Sequence, residues 1–134
     1  MRSKILLHIS FVGTAYCGWQ KQKNKDTVQE KLTEAAEALF GYPCDITGCS
    51  RTDSGVHANE FCLTVECEGA TVPAENLPVA VARFLPTDLS LYDAVECPKD
   101  FHPRYDVKSK EYLYRIINSR VYDPFEYGRA RFIT

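Results

Sequence analysis

The sequence has 134 residues, 45% of them hydrophobic, 25% charged and 12% aromatic, with 7 Gly and 7 Pro. This is the size of one domain with a core of its own, and it excludes a disordered tail, a collagen-like repeat and a low-complexity linker. The formal net charge of −2 argues against a bulk polyanion binder but hides an asymmetry: residues 1–98 hold eight Lys/Arg against thirteen Asp/Glu, residues 99–134 eight against five. A local basic face can still hold phosphates.

In chain order, Ile5, Leu7 and Ile9 alternate with Leu6, His8 and Ser10, which predicts an opening strand running on through Phe11 and Val12. A polar loop follows from Gly13 to Lys25. Asp26-Thr27-Val28-Gln29-Glu30 offers a helix start, with Asp26 or Thr27 capping and Gln29 or Glu30 reaching back. Val28, Leu32, Ala35, Ala36 and Leu39 share a face, and Gly41 with Pro43 stops the helix. Cys44 to Thr47 reads as a short strand, then the loop Gly48 to Val56, then a longer strand with Phe61, Leu63 and Val65 inward. Beyond a turn at Gly69 and Pro73, Glu75 to Phe84 reads as a second helix, with Pro78 in its first turn and Pro86 ending it. Leu89 to Val95 is a fourth strand, and Glu111 to Asn118 is expected to extend the sheet as a fifth. The fold class is therefore α+β: a ferredoxin-like βαββαβ unit over 4–97, with a basic loop and extra strand over 98–134.

Met1-Arg2-Ser3-Lys4 before Ile5-Leu6-Leu7 imitates a secretory leader, but His8 and Ser10 break the apolar run and no small-x-small cleavage site follows. No apolar run reaches the length of a membrane helix, and a cytoplasmic location is expected. The six cysteines are then reduced thiols, mostly small buried hydrophobes. No Cys-x-x-Cys pair is present, so no zinc site is expected.

The chemistry concentrates in Gly48-Cys49-Ser50-Arg51-Thr52-Asp53-Ser54-Gly55-Val56-His57-Ala58. Taken generically, Asp-Ser-Gly is a turn in which Gly55 supplies positive φ. Arg51, two residues from Asp53, is also placed to hold an ionised carboxylate and keep it ready as a nucleophile or base. His57 reads as a structural hydrogen-bonding residue. Trp19, beside Gly18, either stacks on a ligand or anchors its loop on the core.

The Arg51–Ala58 run resembles the catalytic motif of the tRNA pseudouridine synthase A family. Three further segments agree in order: Phe11–Gln20 with its Gly18-Trp19-Gln20, Thr27–Leu32, and Asp100–Tyr105 followed by Lys110–Arg115. The resemblance implies a cofactor-free enzyme, with no metal, that isomerises uridine to pseudouridine in the anticodon stem-loop of tRNA. It places the catalytic aspartate at Asp53, an active-site tyrosine at Tyr112, and at Arg51 the arginine that helps extrude the base. Arg104, Lys108, Lys110, Lys21, Lys23 and Lys25 become candidate phosphate contacts and Trp19 a candidate RNA-stacking residue. It also implies a homodimer. Family members run to about twice this length, so the chain is expected to be an N-terminal half whose partner half supplies further site residues.

Overall fold

The computed structural model describes residues 2–68 and 72–133. Strand β1 (Arg2–Phe11), helix α1 (Val28–Phe40), strands β2 (Cys44–Gly48) and β3 (Ala58–Glu68), helix α2 (Leu77–Val81) and strand β4 (Leu89–Glu96) follow in that order. They build an antiparallel sheet ordered β2-β3-β1-β4, so β1 and β3 are central and each helix links two strands that are not neighbours. The helices cover one face. Towards it β1 turns Ile5, Leu7, Ile9 and Phe11 and β3 turns Phe61, Leu63 and Val65, all buried, as the two-residue period requires. The expected turn at Gly69 lies outside the described residues.

Helix α1 begins where Thr27 Oγ1 accepts the Glu30 amide at 3.3 Å, a cap worth about 1 kcal/mol. Gln29 does not reach back to that cap. Its Oε1 instead accepts the Lys21 amide at 2.8 Å and its Nε2 donates to the Ile46 carbonyl at 2.8 Å, tying the preceding loop to β2. Gly41, at φ 75°, ends the helix. The expected second helix is present in three pieces: a 3-10 turn at Ala74–Asn76, α2, and another 3-10 turn at Ala82–Phe84. Pro78 sits in the first turn of α2, where its missing N–H costs nothing.

Beyond β4 the expectation fails. Glu111 to Asn118 adds no strand to the sheet; only β5 (Ile116–Asn118) is extended and paired, parallel to β6 (Arg131–Ile133) in a separate two-stranded sheet. Tyr112, Leu113 and Tyr114 are three large side chains in succession, all exposed. A strand built from them is apolar on both faces and needs cover on both, which no described element supplies. Among the described residues no helix is long and apolar enough to cross a membrane.

All six cysteines are free, with Cys44, Cys49 and Cys67 buried. Burial, with hydrogen bonding to Cys67, pushes the Cys44 thiol up to about 12, and burial with the nearby Cys49 and Glu60 pushes Cys62 up to about 11. Both lie above the ordinary value of 9.0, so the unfolded chain releases these protons first as pH rises. Their contribution is fully present below pH 9.0 and is lost on the way to pH 11–12. Urea-unfolding free energies are thus expected to fall across that window, and the fall should be shallower in a Cys44→Ala/Cys62→Ala variant. An identical slope in the variant would remove the thiols as its source.

Candidate active site

The loop bearing Asp53 leaves β2 and enters β3 at one end of the sheet, and its backbone is stitched to β3 and to the segment that follows β1. The Cys49 amide donates to the Cys62 carbonyl at 2.9 Å, the Trp19 amide to Thr52 at 3.3 Å and the Gly55 amide to Tyr16 at 3.2 Å. Inside the loop the Val56 amide donates to the Asp53 carbonyl at 3.2 Å, closing a turn with Gly55 at φ 80°. This is the turn chemistry that Asp-Ser-Gly offers.

Two glycines permit the stitch. A Cβ at Gly18 would strike the Thr52 carbonyl, and one at Gly13 the Val56 carbonyl. Gly48 gives way in the same manner to Trp19: a Cβ there would stand 2.6 Å from Cε2 and Nε1 of the indole. The Trp19 ring also lies 4.5 Å, centroid to centroid, from Phe61 and is 2% exposed. Its faces are taken up by the protein, so Trp19 anchors the loop and is not presented for stacking on RNA.

His57 has the structural role expected of it. The Gly13 amide donates to its Nδ1 at 2.8 Å, which leaves the proton on Nε2 to be donated to the Gly128 carbonyl. The imidazole thereby joins three segments: the turn after β1, the start of β3 and the chain before β6. Nearby, the buried Tyr16 hydroxyl donates to Asp88 Oδ1 at 2.6 Å. Burial first, then that hydrogen bond, raises its phenol far above the usual range.

Asp53 and Arg51 are both exposed, and among the described residues no ion pair joins them. The pairing read from their spacing is not formed. Arg51 instead lines an open cleft of about 260 Å³ together with Trp19, Ser50, His102, Arg104 and Tyr105. The far wall is a self-capped turn. Asp106 Oδ2 accepts the His102 amide at 2.7 Å, His102 Nδ1 accepts the Arg104 amide at 3.1 Å, and the His102 and Tyr105 rings lie 4.3 Å apart. The cleft thus brings Arg51 and Arg104 together with the adjoining His102 and Tyr105 rings around one polar space, a combination suited to phosphate and to an unstacked base.

His102 and Tyr105 were not singled out from sequence, although both lie in the Asp100–Tyr105 run. Asp53, Lys21, Lys23, Lys25, Lys108 and Lys110 do not line the cleft, and all six are exposed. Tyr112 is 64% exposed, and among the described residues no hydrogen bond or ring contact joins it to Asp53.

A family model described as tRNA pseudouridine synthase matches residues 8–106. The chain is 41% identical over 114 residues to a tRNA pseudouridine synthase A of Clostridium acetobutylicum, covering 85% of this chain and 46% of that protein. It is 41% identical over 122 residues to one of Aquifex aeolicus, covering 91% and 50%, and 42% identical over 116 residues to one of Caldicellulosiruptor bescii, covering 87% and 47%. The chain spans about half the length of these curated relatives.

The contact between Gly48 and Trp19 carries a direct expectation. Gly48→Ala forces a methyl into a packed ring and should destabilise the fold by about 1–3 kcal/mol, read from the urea midpoint. In a double-mutant cycle Trp19→Phe should relieve part of that loss. Strict additivity would show that the glycine is not required by the indole.

Proposed function

The chain belongs to the tRNA pseudouridine synthase family, and from that premise we propose that it is the Asp53-bearing N-terminal half of a catalytic domain that isomerises uridine in the anticodon stem-loop of tRNA. The observation that carries this reading is the Arg51-Thr52-Asp53 loop, held on a stitched backbone with its carboxylate exposed. The β-α-β-β-α-β order with sheet order β2-β3-β1-β4 supports a ferredoxin-like unit as its scaffold.

In this reading the target base leaves its stack, at a cost of a few kcal/mol, and Arg51 fills the gap beside it. The N1–C1′ bond breaks and positive character develops at the sugar, as in glycoside cleavage. The Asp53 carboxylate adds to that centre, forming a covalent intermediate. The freed uracil turns, C5 bonds to C1′ as Asp53 leaves, the C5 proton departs with help from the Tyr112 hydroxyl, and N1 takes up a proton. Bonds and protons balance without cofactor or metal. Arg104, with Lys21, Lys23, Lys25, Lys108 and Lys110, meets phosphates by charge and shape.

Tyr112 joins Asp53 only when the segment around it is covered. The exposed Leu113, Tyr114 and Phe125 support a covering surface in the remaining half of the domain; a homodimeric assembly in the cytoplasm belongs to the same proposal. A non-catalytic RNA-binding role is the second reading, favoured by the cleft between Arg51 and Arg104, which Asp53 and Tyr112 do not line.

Substituted for the matching half of the Clostridium acetobutylicum relative, this chain should support tritium release from tRNA labelled at C5 of uridine. Asp53→Asn should lower that release by about 10⁴-fold or more and leave tRNA affinity unchanged. Turnover retained in Asp53→Asn would remove the aspartate from its role. A chimera that binds tRNA but releases no tritium would favour the second reading.

A further inference from the structure

The sheet face turned away from α1 and α2 carries a polar cluster that the Asp53 loop does not use. In the β1–β3 register His8 stands directly opposite Cys62, and Glu60, two residues before Cys62, lies on the same face. His8 Nδ1 is 3.4 Å from Cys62 Sγ and 3.4 Å from Glu60 Oε1, and the three donor atoms all lie within 4.8 Å of one another. Metal bonds of about 2.0–2.3 Å in a tetrahedron give donor–donor edges of roughly 3.3–3.8 Å, so the two short distances already have the right span. The third closes by a rotation of the Glu60 side chain, which is 67% exposed.

We propose that His8, Glu60 and Cys62 form a binding site for a divalent transition-metal ion of the zinc type, with its fourth position open to solvent. An imidazole, a thiolate and a carboxylate are the donor set such ions take. Calcium and magnesium, which require oxygen donors, do not fit two of the three. Paired strands fix the spacing of His8 and Cys62, so uptake needs no movement of the backbone. As the sulfur–metal bond forms, the thiol proton leaves to solvent, with no change of oxidation state. The sequence pattern that argued against zinc covers only cysteines close in the chain; His8 and Cys62 are 54 residues apart and meet through strand register.

Cobalt(II) titrated into the reduced 134-residue chain should bind at one equivalent, with tetrahedral ligand-field bands and a thiolate-to-cobalt charge-transfer band, and zinc should displace it. Cys62→Ser should abolish the charge-transfer band, and Glu60→Gln, a change at an exposed position that keeps the fold, should weaken binding by about tenfold or more. In the unaltered chain, zinc should also slow alkylation of Cys62. Absence of the charge-transfer band in the unaltered chain would overturn the proposal. A band of full strength in a folded Cys62→Ser chain would assign the metal to other thiols and overturn it equally.

Discussion

The indole of Trp19, packed against Phe61 and over the bare backbone of Gly48, holds the candidate active site to the rest of the molecule. One large ring fills the space where β2, β3 and the segment after β1 converge. With it in place, residues 16–19 lie alongside residues 52–55 closely enough to exchange main-chain hydrogen bonds. Gly13 and Gly18 are then obligatory, because any Cβ at either position meets a carbonyl. The same segment also touches α1, where the Val28 amide donates to Gly18 and the Gln29 amide to Trp19 at 3.2 and 3.1 Å. The Asp53 loop is therefore tied to both helix and sheet. Pinned backbone under a free carboxylate is what positioning chemistry asks of a loop.

Charge is distributed to complement this. Arg51 and Arg104 come from distant parts of the chain and face one cleft, while the exposed lysines lie outside it. A guanidinium presents a planar fork of donors and can orient a phosphate more tightly than lysines on flexible stems, which add attraction without geometry. The segment from Tyr112 to Tyr127 is of a different kind. Its large apolar side chains face solvent, consistent with a chain that spans about half the length of its relatives.

Much of this architecture was legible from pattern. Strict alternation in β1 and β3 and the helical spacing of Val28, Leu32, Ala35 and Ala36 are local signals, and burial followed them. The strand expected at Glu111 to Asn118 did not form in full because Tyr112, Leu113 and Tyr114 put large side chains on both of its faces, and strand pairing depends on partners that periodicity does not reveal. Likewise, the spacing of Arg51 and Asp53 suggested an ion pair, whereas Arg51 lines the cleft that Arg104 also lines. His102 and Tyr105 were visible as residues, but their convergence on Arg51 is a tertiary fact. The meeting of His8 with Cys62 is another, set by register between strands far apart in sequence.

If Trp19 packing immobilises the Asp53 loop, amide hydrogen exchange measures this directly. In the native protein the amides of Cys49, Gly55 and Val56, each donated to a carbonyl, should be protected. Under conditions where the chain stays folded, Trp19→Ala should lower protection at these three positions much more than at Leu63 or Val65 in the middle of β3. Equal protection in both proteins, or a uniform loss across the sheet, would contradict a specific anchoring role for the indole.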